Sequence, residues 1–398
     1  MADTKKSNLR VVTEEEKRDY KRKIREHRVK VLQRTLITAM VVLVLVAGTG
    51  IYLSMRQYSD YDIRASVERT DTKATAFREF KGNILKYSND GASYTDHNNE
   101  MIWNQTYEMS YPTVDICGDY LVIYDKSGKK IYIMTQKGLV HNIETNLPIS
   151  QVSIAAQGTI AVLMDNQATG VLALYDKDGN QLVNGAIHGE KGGFPIAIAL
   201  SDDAIKLAVS ILDINEGCVK STLAFYNFGK VGENEIDHVV SASTYDDMVI
   251  PELNFASKDC LLAIGDTKLM VFEGTQKPKL TSEIELQDEA KSIFYNENYV
   301  GVVYNSSDET MSHLLQVYDL TGKLAMEETF DTEYTSVELL SSNEICIRSK
   351  TACDIFTTRG VYKFHHEFDE ELYGVIPGGS GLNYTFILNG ITIQTRLK

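Results

Sequence analysis

His365 and His366 form the only adjacent pair among the eight histidines in the chain. A metal ion needs converging ligands, and neighbouring residues on a strand point to opposite faces, so this pair cannot share one ion without a bulge. Asp176 and Asp178 ahead of Gly179 suggest a calcium loop, but the twelfth position would be Ile187 where an EF-hand needs Glu. The run Pro377-Gly378-Gly379-Ser380-Gly381 has the glycines of a phosphate cradle but no helix after it. Five cysteines (Cys117, Cys218, Cys260, Cys346, Cys353) form no C-x-x-C cluster, and the odd count leaves at least one unpaired within the chain. Cys346 and Cys353 flank a turn near Ser349-Lys350, which would suit one bridge across a hairpin; buried, inert thiols are the simpler reading.

No H-E-x-x-H, G-x-S-x-G or P-loop pattern is present. Acidic neighbours such as Glu14-Glu15-Glu16 and Asp202-Asp203 read as solvated, and a glycosidase pair facing across a cleft has no linear signature. The sequence therefore assigns no catalytic residue, no cofactor and no metal ligand.

The elements that would position any site are short strands rich in Val, Ile, Tyr, Phe and Thr, broken by Gly, Asn and Asp. YLVIYD (120–125), TIAVLMD (159–165), VLALYD (171–176), KLMVFEG (268–274) and LLQVYDL (314–320) are examples. Such spacing means an all-β sandwich, barrel or propeller. A longer period decides among them. A strand, a turn, a strongly apolar strand and a hairpin recur from starts at Ala74, Thr113, Val152, Pro195, Pro251, Lys291 and Thr335, with a shorter last unit near Leu372. The mean spacing of about 43 residues is that of four-stranded propeller blades.

Turn chemistry repeats as well, in Tyr124-Asp125-Lys126-Ser127-Gly128, Tyr175-Asp176-Lys177-Asp178-Gly179 and Tyr318-Asp319-Leu320-Thr321-Gly322, with Tyr87-Ser88-Asn89-Asp90-Gly91 close to them. Asp opens each turn and Gly is expected to supply a positive φ at its end. The strand-like piece 62–69 before the first unit would complete the three strands of the last one, closing the ring and removing an exposed edge. Eight blades are expected, with seven as the alternative. In propellers, ligands commonly meet the first strand of each blade at the central channel, where Asp115, Ser153, Asn254 and Glu338 are expected to approach.

Thr35 to Met55 is a run of 21 uncharged residues between Arg34 and Arg56. At about 1.5 Å rise per residue this covers a hydrocarbon core of roughly 30 Å. The run exceeds the apolar core of a signal peptide, and the basic region ahead of it is long, so an uncleaved anchor is expected. Residues 1–34 hold 12 Lys and Arg against 6 Asp and Glu, so a chain of net charge −15 carries −21 on residues 35–398. Positive charge before the span places the N-terminus in the cytoplasm and the bulk outside. Within the tail, Thr13 and Glu16 fit a helix capping box. An acidic outer domain excludes nucleic acid as its partner, because phosphate binding needs clustered Lys and Arg. The expected organisation is a basic cytoplasmic tail (1–34), a transmembrane helix (35–55), a linker with a closing strand (56–73) and an extracytoplasmic β-propeller (74–398).

The segment GNILKYSNDGASYTDHNNEMIWNQTYEM (82–109), followed by VDICGDYLVIYD (114–125), resembles the start of a family of bacterial single-pass membrane proteins with propeller ectodomains. That family carries no assigned activity to transfer. More loosely, the repeats are similar to quinoprotein-type propellers and outer-membrane assembly lipoproteins, in which a Gly-turn hairpin precedes a strand ending in Trp. Trp103 in EMIW is the one match, since it is the only Trp in the chain. The Trp-docking pattern between blades and the G-H…W-D signature of WD repeats are both missing, which leaves quinone binding unsupported.

These readings lead to an expected function: a membrane-anchored, extracytoplasmic propeller that binds or scaffolds an envelope protein, a peptide or a wall component. The alternatives are an extracytoplasmic hydrolase or dehydrogenase with its site at the channel, and a transmembrane sensor. The sequence leaves the oligomeric state open.

Overall fold

The computed structural model describes residues 13–70, 75–96, 98, 100–166, 169–187, 193–215, 217–287, 289–307 and 310–398. The expected first unit start, Ala74, lies outside them. Two compact units are present, residues 1–56 and 57–398.

In the first unit, the basic tail and the apolar run form one unbroken helix, α1 (Glu14–Ser54). Acidic residues Glu14, Glu15 and Glu16 fill its first turn, where the helix dipole favours negative charge. The Glu16 carboxylate accepts the Thr13 N–H at 3.1 Å, the returning half of a capping box. Farther along, the hydroxyls of Thr35, Thr38 and Thr49 donate to the carbonyls of Val31, Arg34 and Leu45, so these polar side chains are satisfied within the helix. The helix is long and apolar enough to cross a membrane. Arg34 lies within it and Arg56 two residues past its end.

The second unit is an all-β propeller of eight four-stranded antiparallel sheets. Blades 1 to 7 are each built from consecutive strands. Their inner strands are Ala76–Phe80, Pro112–Cys117, Ile149–Ile154, Phe194–Leu200, Glu252–Ser257, Ser292–Tyr295 and Ser336–Leu339. Blade 8 takes Leu372–Pro377, Asn383–Leu388 and Ile391–Leu397 from the end of the chain and Tyr61–Glu68 from its beginning as the outermost strand. That strand pairs from Tyr61 opposite Leu397 to Glu68 opposite Ile391. Beyond its ends, the Lys398 ammonium donates to Asp62 at 3.0 Å and the Arg69 N–H donates to the Gly390 carbonyl at 2.6 Å.

The sequence pattern follows from the layering. Second and third strands lie between neighbouring blades and are apolar on both faces, as in Ile160–Asp165, whose first five residues are buried. Outer strands reach solvent and carry mostly exposed residues, as in Gln181–Ile187. Eight buried clusters occupy the eight seams between blades. The largest joins blades 7 and 8 around Phe364, Tyr384 and Phe386. The smallest, Ile84, Ile376 and Ile387, joins blades 8 and 1, flanked by Phe77 stacked on Tyr373 at 5.9 Å.

Two expectations need correction, on the turns and on Trp103, and the favoured reading of Cys346 and Cys353 as buried thiols holds. The four Tyr-Asp turns are not equivalent. Those after Tyr87 and Tyr124 join the second and third strands of blades 1 and 2, whereas those after Tyr175 and Tyr318 join the third and fourth strands of blades 3 and 6. In the latter two, Asp176 and Asp319 accept amide N–H groups within their own turns, and Gly179 and Gly322 have φ of 83° and 84°. In the blade 2 turn the positive φ falls on Ser127 at 65°, while Asp125 accepts the N–H groups of Ser110 and Tyr111 and fixes the loop leading into the blade.

Cys346 and Cys353 do lie on one hairpin, but Cys346 pairs with Ile355 and Cys353 with Arg348, a two-residue offset, and both thiols are free. Trp103 does dock between blades: its indole N–H donates to the Thr135 carbonyl of blade 2 at 3.1 Å and its ring stacks on Tyr94 at 5.5 Å.

Candidate functional site

The inner strands of blades 2 to 5 contact one another in turn, as do those of blades 6 and 7 and of blades 8 and 1, and inner-strand side chains divide into two kinds. The first kind stitches blades together. Asp115, on the inner strand of blade 2, accepts the Ile154 N–H of blade 3 at 2.9 Å and the Ile116 N–H at 3.0 Å. Burial pushes its carboxyl up to about 6, while the two amide bonds pull the other way. Ser153 in blade 3 accepts the Leu200 N–H of blade 4 at 3.0 Å. Gln151, two residues earlier, clamps Ile198 of the same strand with both ends of its amide, at 3.0 and 2.9 Å. Two of the four expected channel residues are thus engaged with the backbone of the next blade.

The second kind bonds no backbone group of the next blade among the described residues. Asn254 is half-buried on the inner strand of blade 5. Tyr295 of blade 6 donates to the Glu252 carboxylate of blade 5 at 2.6 Å. Burial and that carboxylate hold the phenol well above its ordinary range, with Asp115 of blade 2 adding to the rise and Arg78 of blade 1 opposing it.

Glu338 lies in the wall of a cavity of about 600 Å³ where the inner strands of blades 7, 8 and 1 meet. Arg78, Glu79, Ser336, Ser341, Arg348 and Tyr373 also line it. The Arg348 guanidinium donates through Nη1 to the Leu372 carbonyl at 3.0 Å, and Glu79 accepts the Ser341 hydroxyl at 2.8 Å. Neither Arg78 nor Arg348 was foreseen from sequence. Arg348 stands on a second strand, EICIR, and an arginine directly after the apolar run Ile345–Ile347 was the available signal.

A second polar cluster lies in blade 7. The buried Asp354 carboxylate accepts Thr332 Oγ1 and Tyr362 OH at 2.7 Å, and His365 Nδ1 lies 2.6 Å away. His366 turns to the opposite face and meets Tyr61 edge-on at 4.7 Å. Asp354 thus holds three side chains in place, an arrangement that explains a buried carboxylate without chemistry. Among the described residues no group of three His, Cys, Asp or Glu side chains is placed to hold a metal ion.

A family model described as a family of unknown function (DUF5711) matches residues 54–397, which covers the whole propeller. The chain belongs to the DUF5711 family. No curated protein matches this DUF5711 chain. Among solved structures it is similar to BamB from Moraxella catarrhalis, at 14% identity and a TM-score of 0.52, covering 85% of this chain and 98% of that one. It also aligns with the Pan2 WD40 domain of Neurospora crassa at 9% identity, a TM-score of 0.44, and coverage of 86% and 97%. The likeness to BamB supports the eight-bladed fold and no more.

Proposed function

We propose that this DUF5711 protein is a membrane-anchored propeller whose outer domain binds or scaffolds an envelope protein, a peptide or a wall component outside the cytoplasm. The observation that carries the proposal is the coupling, in one chain, of a spanning-length helix with basic residues ahead of it to a ring closed by its own first strand. A ring without an open sheet edge at its closure is a rigid platform, and a tether confines it to the membrane surface. The polar residues of its inner strands serve largely as inter-blade stitches, which supports binding over catalysis. Under this reading Arg34 and Arg56 flank the membrane segment, and the helical tail lies in the cytoplasm.

Cys218 makes the topology testable, because it is the one exposed thiol among the five cysteines. A membrane-impermeant maleimide should label it in intact cells, and Cys218→Ser should abolish the signal. Labelling that appears only after the membrane is opened would overturn the orientation. The binding role is tested by photo-cross-linkers at exposed propeller positions such as Ile102 and Ile236 in the native membrane. One discrete adduct with an envelope component is expected, and an absence of adducts from either position would count against the scaffold.

A further inference from the structure

The cavity between blades 7, 8 and 1 sits beside the seam of blades 8 and 1, where three buried residues among those described, with Phe77 and Tyr373 against them, make the smallest of the clusters. Its polar groups are poorly matched to one another. Neither Arg78 nor Arg348 forms an ion pair among the described residues, and Glu338 makes no hydrogen bond there. Arg348 is held by one bond, Nη1 to the Leu372 carbonyl, while its Nε has no partner. Ser336, directly opposite Arg348 in the strand ladder, also has an unpartnered hydroxyl. Buried donors are nearly always satisfied in folded proteins, so two orphans on paired residues mark this wall as poorly matched. Both atoms are shut off from the cavity itself, and the groups that reach a ligand there are the remaining Arg348 donors, Arg78 and Glu338.

The chemistry of that partner follows from the wall. A guanidinium tethered through one amino group still offers donors to a carboxylate, which it binds more strongly than a neutral acceptor. Two arginines and two glutamates balance in charge. A simple anion would therefore face Glu338, a diamine would face both arginines, and a zwitterion matches both signs. About 600 Å³ lies within the range of small-ligand sites, and is far too small for a folded partner.

We propose that this cavity binds a zwitterionic ligand of amino-acid to short-peptide size, with Arg348 and Arg78 taking its carboxylate and Glu338 its ammonium group. The site lies inside the ring, so it stands or falls separately from a partner on the outer faces.

The test uses the full chain in detergent micelles and a pool of dipeptides with free termini, followed by saturation-transfer NMR and by calorimetry on the strongest binder. A saturable signal is expected from the free pool. C-terminal amidation should weaken binding at least tenfold, as should Arg78→Gln or Arg348→Gln. Glu338→Gln should weaken the free dipeptides but not their N-acetylated forms. Among the described residues the side chains of Arg78 and Glu338 make no hydrogen bond, so their variants carry the test if Arg348→Gln unfolds the seam. Absence of binding by the free pool, equal binding of the amidated pool, or full affinity in Arg78→Gln would each overturn the proposal. None of these outcomes bears on the Cys218 labelling or the cross-links.

Discussion

The Lys206 ammonium of blade 4 lies 2.9 Å from the Asp259 carboxylate of blade 5, and the lysine is almost wholly buried while the aspartate keeps 30% of its side-chain surface. The Thr275 carbonyl takes a second bond from the same ammonium at 3.2 Å. The pair is lopsided, and so are the expected mutants. Asp259→Ala leaves the buried cation with only the more distant Asp203 carboxylate, 4.0 Å away, and should cost about 2 kcal/mol. Lys206→Met leaves a carboxylate that water can reach, and should cost less than half as much. Equilibrium denaturation of both variants checks this; equal losses would contradict the asymmetry.

Asp115 gives the fold a pH dependence of defined sign. Its carboxyl titrates near 6 in the folded chain against an ordinary 3.8. Between those values the folded state holds a proton that the unfolded state has lost. The contribution is therefore complete below pH 4 and disappears as pH rises through 6, by at most about 3 kcal/mol. Asp115→Asn can still accept the Ile154 N–H, and should flatten that slope and raise the melting temperature at pH 7. A variant with the wild-type slope would show that another group titrates.

The thiols should react in two classes. Burial raises the Cys346 and Cys353 thiols well above their ordinary range, and both are wholly buried. In the native protein Cys218 should react with a disulfide reagent within minutes while these two stay silent. In denaturant without reductant all five should titrate. A count of three would mean that Cys346 and Cys353 had bridged despite their offset.

Closure predicts a cooperative loss. Deleting residues 391–398 removes the strand that joins Asn383–Leu388 to Tyr61–Glu68. It also strips Ile393 and Leu397 from the seam of blades 7 and 8. Hydrogen exchange should then rise through blades 7 and 8 together. Exchange confined to the new terminus would mean that the ring holds without its closing strand.

The blade period was legible in the sequence because each blade repeats one burial pattern. Inner starts expected at Thr113, Val152, Pro195, Pro251, Lys291 and Thr335 fall within three residues of the observed strands. The role of each turn was not legible, since an Asp that bonds amides within its own turn fits either hairpin of a blade. Asp115 and Ser153 could be placed on inner strands from their surroundings, but not their attachment to Ile154 and Leu200, which depends on inter-blade register. The cavity was the least legible feature. It brings together Arg78, Glu338 and Arg348 from blades at opposite ends of the chain, and only closure makes them neighbours.

Closure also imposes an order in time. Arg69 and Thr392, which bond across the closing strands, are 323 residues apart. At about 5–20 residues per second, a ribosome needs tens of seconds to make the intervening chain. The first strand of the propeller emerges directly after the apolar helix and has no partner until synthesis is nearly finished. Its alternation of exposed and half-buried residues, with no fully buried position, suits a segment that must stay soluble while it waits.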